Sequence, residues 1–457
     1  MKTIDPSDGR LIKTYPLMSA DELEQVVTNC HLAFGDWKRR DPAGRAGVIR
    51  QIGAALRDNK ESLARLMTRE MGKLLQQSRD EIDLCAAICD WTADNGPDQL
   101  APQSHESPDG KRGLIIRAPI GVVYGIQPWN YPAYQVIRYA IANLMAGNGV
   151  LLKHAESVTG TGQRLQELLL DAGLPPGLFA ALLIDHEQSD AVIDHPLVRG
   201  VTLTGSPAAG ASVGARAAGK LKKTVLELGS NDAYLVLEDA DLPLAVKVCV
   251  QGRIYNNGET CIAAKRFVVV DKIYEDFKAA FVQQMRQLKP GDPTEPGHDL
   301  GPMARQDLRD TLHAQVTKSI ALGAELLCGG EMPQGPGFYY PATVLANVSP
   351  GQPAYDDELF GPVASLIRAL DEQDALRIAN DSRFGLGGGI ISRDPERAIE
   401  LASQHFDTGM VFINAFGLAS PDMPFGGTKQ SGYGREHGGF GMLEFVNTKA
   451  ISVAVPD

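Results

Sequence analysis

Apolar residues recur at helical spacing through the first hundred residues of the chain. Between residues 19 and 95 they repeat every three to four positions, as on one face of an amphipathic helix. One such apolar stripe consists of Leu23, Val26, Val27, Cys30 and Phe34. Ser19 and Glu22 have the spacing of a capping box, which predicts that the first helix begins there.

Short apolar runs then alternate with helical stretches. The runs that predict strands lie at 114–116, 122–124, 150–153, 179–184, 201–204 and 224–228. A helix is predicted after Pro132, and Gly147 is its expected C-terminal cap. This alternation indicates a parallel, doubly wound sheet, whose ligands bind at the carboxyl ends of the strands.

A second alternating series begins near residue 233 and continues to about 415. Its predicted strands lie at 234–237, 267–270, 363–370 and 410–413. Residues 101–112 are predicted to form a polar loop, and 451–455 a strand that no helix follows and that could pair with another subunit. The fold class is therefore α/β, with two doubly wound parallel-sheet domains.

Composition narrows the possible functions. The chain has 457 residues, 44% hydrophobic and 22% charged, and a net charge of -12. This charge disfavours nonspecific binding to nucleic acids and to anionic membranes. Neither a signal peptide nor an apolar run of membrane-spanning length is found, so a cytoplasmic location is predicted. The six cysteines show no metal-ligand spacing, so no metal site is predicted, and Cys30, Cys85 and Cys89 are expected in the core.

Cys261 and Glu227 are the strongest candidates for chemistry. Each lies in a glycine-containing turn after an apolar run, Glu227 before Gly229 and Cys261 after Gly258. A thiolate is a strong nucleophile that forms thioesters, and a carboxylate can activate the water that hydrolyses them. The pair predicts covalent catalysis at a carbonyl carbon.

Three further motifs are each ambiguous alone. Asn130 lies between Pro128 and Pro132 and is either an oxyanion donor or a structural residue of a rigid turn. Gly205 and Ser206 open a helix after a strand, where backbone N–H groups favour phosphate, although most such turns only connect elements. Lys153 and Glu156 could hold ribose hydroxyls or form an exposed ion pair.

Taken together, these segments resemble the aldehyde dehydrogenase superfamily. The matching motifs occur in the family's order along nearly the whole chain, at 128–132, 153–156, 205–206, 227–229, 258–261, 358–362 and 424–427. Segments 263–266 and 301–305 are similar to those of bacterial succinate semialdehyde dehydrogenases. The resemblance implies an NAD-binding domain at 1–100 and 118–227, a catalytic domain at 228–425, and an oligomerisation arm at 101–117 and 440–457.

The resemblance also implies a role for each site residue. Cys261 attacks the aldehyde, Asn130 and the Cys261 backbone N–H hold the oxyanion, and Glu227 activates water. The implied cofactor-binding residues are Trp129, Lys153, Glu156, Gly205, Ser206, Leu228, Glu358 and Phe360. Because Glu156 would repel a 2′-phosphate, NAD is expected in preference to NADP, with NADP still possible.

The substrate is predicted from two residues. Arg138 and Ser420 match carboxylate-binding positions of related enzymes, so succinate semialdehyde or a similar short carboxylated aldehyde is expected. A second arginine expected six residues before Cys261 is replaced by Tyr255. A helix-surface ion pair is the alternative role for Arg138. His154, His186 and His195 are expected at the surface.

The chain departs from the family pattern at two further positions near the site. Ser230 stands where glycine is usual, and Glu259 stands where glutamine is common, two residues before the nucleophile. An inward-facing Glu259 carboxylate could raise the pKa of Cys261.

Other functions remain open from the sequence. The first is a broad-specificity aliphatic aldehyde dehydrogenase. The others are a CoA-acylating dehydrogenase, which would not need Glu227, and a non-catalytic scaffold, which would not need the intact trio. A homodimer or homotetramer is predicted from the arm.

Overall fold

The computed structural model describes residues 1–106 and 112–453. Its strands, in chain order, are β1 (Lys2–Ile4), β2 (Leu11–Thr14), β3 (Gln103–Glu106), β4 (Arg112–Pro119), β5 (Val122–Gln127), β6 (Gly149–His154), β7 (Phe179–Ala181), β8 (Val198–Thr204), β9 (Lys223–Glu227), β10 (Ala233–Val236), β11 (Arg266–Val270), β12 (Glu325–Cys328), β13 (Thr343–Ala346), β14 (Val363–Ala369), β15 (Phe384–Gly385), β16 (Gly388–Ile391), β17 (Phe412–Ile413), β18 (Thr428–Lys429), β19 (Gly432–Tyr433) and β20 (Val446–Val453).

The helices, in chain order, are α1 (Ala20–Trp37), α2 (Pro42–Asp58), α3 (Lys60–Met71), α4 (Leu75–Leu100), α5 (Tyr134–Ala146), α6 (Thr159–Asp171), α7 (His186–Asp194), α8 (Pro207–Gly219), α9 (Leu242–Ile254), α10 (Asp271–Gln287), α11 (Gln306–Ala321), α12 (Pro353–Asp356), α13 (Glu372–Asn380), α14 (Pro395–His405) and α15 (Phe440–Glu444). Short 3-10 turns lie at Glu156–Val158 and Tyr255–Gly258.

The N-terminal segment is helical, as predicted. The capping box at Ser19 is present, with the Ser19 side chain accepting from the backbone N–H of Glu22. Cys30 of the predicted stripe is fully buried in α1, and Cys85 and Cys89 are fully buried in α4. Burial of these faces is what stabilises helices of this kind in a folded protein.

The first large sheet has the strand order β19-β9-β8-β5-β6-β7. All neighbouring pairs are parallel except β19 with β9, so the doubly wound prediction is confirmed for this part of the chain. Glu227 is the last residue of β9 and pairs with Gly432 on one side and Thr204 on the other. Its position is the carboxyl edge of the sheet, where the fold rule places ligands.

The second large sheet has the strand order β12-β13-β14-β11-β10-β16-β17 and is parallel except at β12. Cys261 precedes β11, so it approaches this sheet from the amino end of a strand. Glu227 therefore lies at the carboxyl end of β9 in the first sheet, and the thiol lies before the amino end of β11 in the second sheet. The candidate site is formed between these two strand ends.

A third sheet, β20-β4-β3, is antiparallel and largely exposed. The prediction that 101–112 is only a polar loop is wrong, because Gln103–Glu106 forms β3. All four of its side chains are exposed, so there is no apolar alternation for a sequence pattern to detect. The oligomerisation role of 101–117 and 440–457 stays a prediction, and 107–111 and 454–457 lie outside the described residues.

No helix in the described part of the chain is long and apolar enough to cross a membrane. The cytoplasmic location, the oligomeric state and the domain boundaries remain predictions.

A buried ion pair joins the turn between α3 and α4 to α4 itself and supports the start of α5. Lys73 and Glu81 form this pair, and both side chains are 0% exposed. The other carboxylate oxygen of Glu81 accepts from the backbone N–H groups of Ala133 and Tyr134, at 2.8 and 2.9 Å. Burial lowers the pKa of Lys73, and the Glu81 carboxylate opposes that shift. Glu81 thus holds both a buried cation and the N-terminus of α5.

We expect Glu81→Ala to lower the melting temperature by roughly 10 °C, because loss of one partner strands a buried charge at a cost of about 3–5 kcal/mol. Differential scanning calorimetry measures this. Glu167→Ala is the matched control, because Glu167 pairs with Arg164 on an exposed helix face and surface pairs contribute about 0–1 kcal/mol. Equal melting temperatures for the two variants would contradict the structural role of Glu81.

Candidate active site

The turn before Cys261 uses residues that tolerate a left-handed backbone. Asn256 and Asn257 have φ angles of 56° and 58°, and Gly258 has a φ angle of 76°. Asparagine enters this region more readily than most residues, and glycine enters it without steric cost. A Cβ atom at Gly258 would also collide with the backbone of Gly361. The turn therefore fixes the direction in which the chain reaches Cys261.

Asn130 lies beside the backbone that leads to Cys261. Its Nδ2 donates to the carbonyl oxygen of Glu259 at 3.0 Å, and its own carbonyl oxygen accepts from Asn256 Nδ2 at 3.0 Å. A carboxamide nitrogen carries two N–H groups, so one remains available for an oxyanion. The structure thus brings Asn130 and the Cys261 loop together, as the sequence predicted.

The loop that carries Asn130 is fixed by His154. The ring nitrogens of His154 lie 2.8 Å from the carbonyl oxygen of Pro132 and 3.3 Å from that of Gln127. His154 is buried, so the prediction of a surface position is wrong for this residue. Burial lowers the pKa of His154 to about 4, so the ring is neutral at physiological pH.

Burial also controls the reactivity of Cys261. It raises the pKa of the thiol to about 12. The positive charges of Arg138 and Lys265 lower this pKa, and the negative charges of Glu358 and Asp232 raise it further. The resting thiol is therefore protonated. Ionisation needs a further stabilising group or a proton acceptor at the moment of attack.

Glu227 is a buried carboxylic acid with unused hydrogen-bonding capacity. Its side chain is 2% exposed, and neither carboxyl oxygen has a hydrogen-bond partner within the described residues. Burial raises its pKa well above the usual range, Arg138 lowers it, and Glu436 raises it further. The group is thus neutral at rest and free to receive a water molecule.

A cavity of about 160 Å³ opens beside the thiol. Four aromatic side chains and four aliphatic ones make up most of its wall. Its residues are Asp80, Glu81, Leu84, Tyr131, Tyr134, Gln135, Tyr255, Thr260, Cys261, Ile262, Leu418, Ala419 and Phe425. Such a pocket suits the carbon chain of a small aldehyde.

Neither predicted substrate contact lines this cavity. Arg138 is 2% exposed, pairs with Glu436 and donates to Thr204 Oγ1 at 2.8 Å. Its guanidinium lies behind the wall, over the Phe425 ring at 4.8 Å. Ser420 donates to the carboxylate of Asp422 instead. The geometry therefore does not support the predicted carboxylate-binding roles of Arg138 and Ser420, because the charge of one is already neutralised and the hydroxyl of the other is engaged.

Lys153 and Glu156 lie at the end of β6, as expected. Burial lowers the pKa of Lys153, and Glu156 and Asp185 oppose this shift. The Glu156 carboxylate is 59% exposed and accepts from the backbone N–H of Lys2 at 2.8 Å. The carboxylate is therefore engaged by β1, a strand that the sequence pattern did not reveal.

Gly205 and Ser206 lie at the start of α8. Ser206 caps this helix, accepting from the backbone N–H of Ala209 at 3.2 Å. A Cβ atom at Gly205 would meet only a side chain of the preceding strand, at 3.6 Å, so its outer face is open. Leu228 packs against Gly210 on the same helix. These features form an N-terminus that can receive a pyrophosphate.

Glu358 lies near the start of α8, because the Glu358 carboxylate and Pro207 both lie close to Gly229. A Cβ atom at Gly229 would lie 2.6 Å from that carboxylate, so a larger residue there would displace the Glu358 side chain. The Trp129 and Phe360 rings meet edge to face with their centroids 5.8 Å apart.

The two departures from the family pattern have local structural explanations. Ser230 donates to the buried carboxylate of Asp232. The Glu259 carboxylate accepts from the backbone N–H of Ala304 at 3.1 Å, and burial raises its pKa. The largest charge effects on the pKa of Cys261 come from Arg138, Lys265, Glu358 and Asp232, so an effect of Glu259 on the thiol stays a prediction.

Three charged residues of the site were not predicted from the sequence. Lys265 lies under the nucleophile loop, Glu436 pairs with Arg138, and Glu81 anchors α5. All three are charged residues in otherwise ordinary segments, and their burial depends on contacts distant in the sequence. Only Lys265 had a signal, as a charge placed just before the apolar strand β11.

Comparison with known proteins gives consistent matches over the whole chain. The model of the aldehyde dehydrogenase family matches residues 1–451. A protein of Deinococcus radiodurans named as an NADP+-dependent succinate-semialdehyde dehydrogenase is 42% identical, over 98% of this chain and 94% of its own. The succinate semialdehyde dehydrogenase Sad of Escherichia coli, named for NAD(P)+, is 43% identical over 98% and 97%. The NADP+ complex of succinic semialdehyde dehydrogenase from Streptococcus pyogenes has a TM-score of 0.97 and 37% identity, with both chains covered completely.

Alkylation of Cys261 by iodoacetamide should accelerate about tenfold per pH unit between about pH 7 and 9, because the thiol pKa lies above this range and only the thiolate reacts. Mass spectrometry of the modified peptide measures the rate, and Cys261→Ser gives the background from other cysteines. A plateau below about pH 8 would show that the thiol is already ionised and would contradict this account of the resting site.

Proposed function

Because the chain belongs to the aldehyde dehydrogenase family, we propose that Cys261, Asn130 and Glu227 carry out NAD(P)-dependent oxidation of succinate semialdehyde to succinate. The observation that carries this proposal is that Asn130 is hydrogen-bonded to the backbone of the Cys261 loop, while Glu227 is a buried acid without a hydrogen-bond partner within the described residues. The names of the related proteins supply the substrate.

In the first step the Cys261 sulfur attacks the aldehyde carbon. A carbon–sulfur bond forms, the thiol proton passes to water, and the carbonyl π bond breaks so that its oxygen becomes an alkoxide. The free N–H of Asn130 and the backbone N–H of Cys261 are the donors for this oxygen. Such donors typically contribute about 100- to 1000-fold in rate, since they act where the charge develops.

The cleft between the sheets fits a dinucleotide. Ser206 and the start of α8 would hold its pyrophosphate, Lys153 and Glu156 one ribose, and Glu358 the other. Glu358 fits this role because its Oε1 is buried and, within the described residues, has a single cation, Lys265, in contact with it, which leaves a lone pair for a ribose hydroxyl. The bound dinucleotide supplies the hydride acceptor that turns the adduct into a thioester.

In its ionised form, Glu227 takes a proton from the water that attacks the thioester carbon, and the thiolate of Cys261 is the leaving group. A general base contributes typically about 100- to 10,000-fold. Because Glu227 is protonated at rest, it must first lose its proton to solvent, and its raised pKa then makes the carboxylate a stronger base than an exposed one.

One structural observation favours a second substrate class. The cavity wall is mainly aromatic and aliphatic, its charged members are the acids Asp80 and Glu81, and Arg138 is paired behind it. A neutral aliphatic aldehyde would enter this cavity without desolvating a carboxylate. The broad-specificity aliphatic activity is therefore the alternative.

For the cofactor we propose that NADP+ is accepted as well as NAD+. The expected preference for NAD+ is not supported by the names of the relatives, which specify NADP+ or both. Since β1 already engages the Glu156 carboxylate, the ammonium of Lys153 is the stronger recognition element for a 2′-phosphate.

Replacing Glu227 by glutamine should preserve a first-turnover burst of NAD(P)H but lower the steady-state rate roughly 100- to 10,000-fold, because only thioester hydrolysis needs the base. Rapid mixing of enzyme, cofactor and aldehyde separates the two phases. Glu167→Gln, at an exposed helix position, controls for the substitution itself. Loss of both the burst and the steady-state turnover would show that Glu227 is needed before the thioester forms. That result would contradict its assignment to thioester hydrolysis.

Succinate semialdehyde and butanal share a four-carbon chain and differ only at the carbon farthest from the aldehyde, which is a carboxylate in the first and a methyl group in the second. We expect kcat/KM to be roughly tenfold or more higher for succinate semialdehyde, because the related proteins are named for this substrate, and tenfold is the discrimination that one hydrogen bond to a charged group would give. Both NAD+ and NADP+ should support the reaction. A higher value for butanal would select the neutral-aldehyde alternative, and inactivity with NADP+ would restore the preference based on Glu156.

A further inference from the structure

Lys265 is a fully buried cation that the mechanism above does not use. It is 1% exposed and lies four residues after the nucleophile, at the entry to β11. Its Nζ donates to the carbonyl oxygen of Cys261 at 2.6 Å and to that of Thr260 at 3.2 Å. A lysine ammonium has three donors and no acceptor, so these contacts anchor the nucleophile loop from below.

The same ammonium reaches across to the proposed cofactor cleft. Lys265 Nζ lies 3.3 Å from Glu358 Oε1. Burial raises the pKa of Glu358 and Lys265 is the largest influence that lowers it. One buried charge therefore contacts both the backbone of the nucleophile and the carboxylate assigned to the nicotinamide ribose.

We propose that Lys265 is a positioning residue that joins the two halves of the site, acting as the counter-charge that keeps Glu358 an acceptor for the ribose and as the clamp of the Cys261 loop. This inference deepens the proposed function and rests on it for the ribose. Its action on the thiol loop does not depend on the cofactor. The substrate and the reaction are unchanged by it.

Several other charged groups face Glu358 and must be considered. Asp232 raises its pKa, and the buried guanidinium of Arg253 and the Cys261 thiol are electrostatically coupled to it. Arg253 donates to the carbonyl oxygen of Gly258 at 2.7 Å and forms no ion pair with Glu358 within the described residues. Lys265 is therefore the cation in direct contact with Glu358.

The test measures dissociation constants of NADH or NADPH by fluorescence, using whichever binds wild-type enzyme more tightly, at about pH 6.5 and 8.5. Lys265→Met should weaken binding roughly 10- to 100-fold at the lower pH, since a hydrogen bond to a charged acceptor is lost when Glu358 is protonated. The loss of affinity should be larger at the lower pH than at the higher one, because burial raises the Glu358 pKa and Lys265 no longer opposes that shift. Lys265→Arg should restore affinity toward the wild-type value at both.

Alkylation of Cys261 without cofactor is the second measurement. Loss of the adjacent cation should slow alkylation about tenfold in Lys265→Met at fixed pH, because an opposite charge at this range lowers a pKa by about one unit or more. Glu358→Gln should accelerate alkylation, since it removes a negative charge while Lys265 remains. The two variants thus change the alkylation rate of Cys261 in opposite directions.

Lys272→Met, at an exposed lysine beside Glu238, is the matched control. Unchanged cofactor binding and alkylation in Lys265→Met, or equal impairment in the methionine and arginine variants, would overturn the proposal. Should Lys265→Met fail to fold, Glu358→Gln decides: it must weaken binding at both pH values and speed alkylation. Wild-type enzyme that binds neither dinucleotide would instead refute the proposed function, and the alkylation rates would still test Lys265.

Discussion

The active site depends on a small hydrogen-bonded junction between the loops of two separate sheets. The carbonyl oxygen of Glu259 accepts from Asn130 at 3.0 Å and from Asn256 at 3.1 Å, and Asn256 also donates to the carbonyl oxygen of Asn130. Each group is buried, so a missing partner would leave an unsatisfied polar atom at a cost of about 1–3 kcal/mol. The junction therefore fixes the oxyanion donor relative to the nucleophile without any covalent link between the loops.

Buried ion pairs surround this junction, and each lies behind one functional element. Lys73 and Glu81 support the start of the helix that follows Asn130. Arg138 and Glu436 lie next to Glu227 and shift its pKa in opposite directions. Pairs of this kind contribute little net stability, because desolvation offsets much of the attraction. We infer that these ion pairs serve to fix the positions and charges of the neighbouring functional groups rather than to stabilise the fold.

The sequence was sufficient to predict most of the fold and to propose Cys261, Asn130 and Glu227, whose catalytic roles stay predictions. Strong apolar periodicity and short motifs encode both locally, so α1, the strands around Glu227 and the Cys261 turn could be predicted. Strand β16 was missed because its glycines carry no apolar pattern, and β3 because it is exposed on both faces. The surroundings of Arg138 could not be predicted, because its partner Glu436 lies almost three hundred residues away along the chain. Burial of charge is a property of the tertiary structure, and neither propensity nor spacing reports it.

The carboxyl group of Glu227, which has no hydrogen-bond partner within the described residues, distinguishes this proposed catalytic acid from a structural one. Glu70, also fully buried, accepts from the backbone of Gly160 and Thr161 and from a hydroxyl, and these bonds hold it in place. Glu227 has no such donors within the described residues, although it sits at a strand end where they could have been provided. An acid kept without protein donors retains both oxygens for water. Burying the Glu227 carboxyl group without a partner costs free energy. This cost is explained if the group has to act as a base on water.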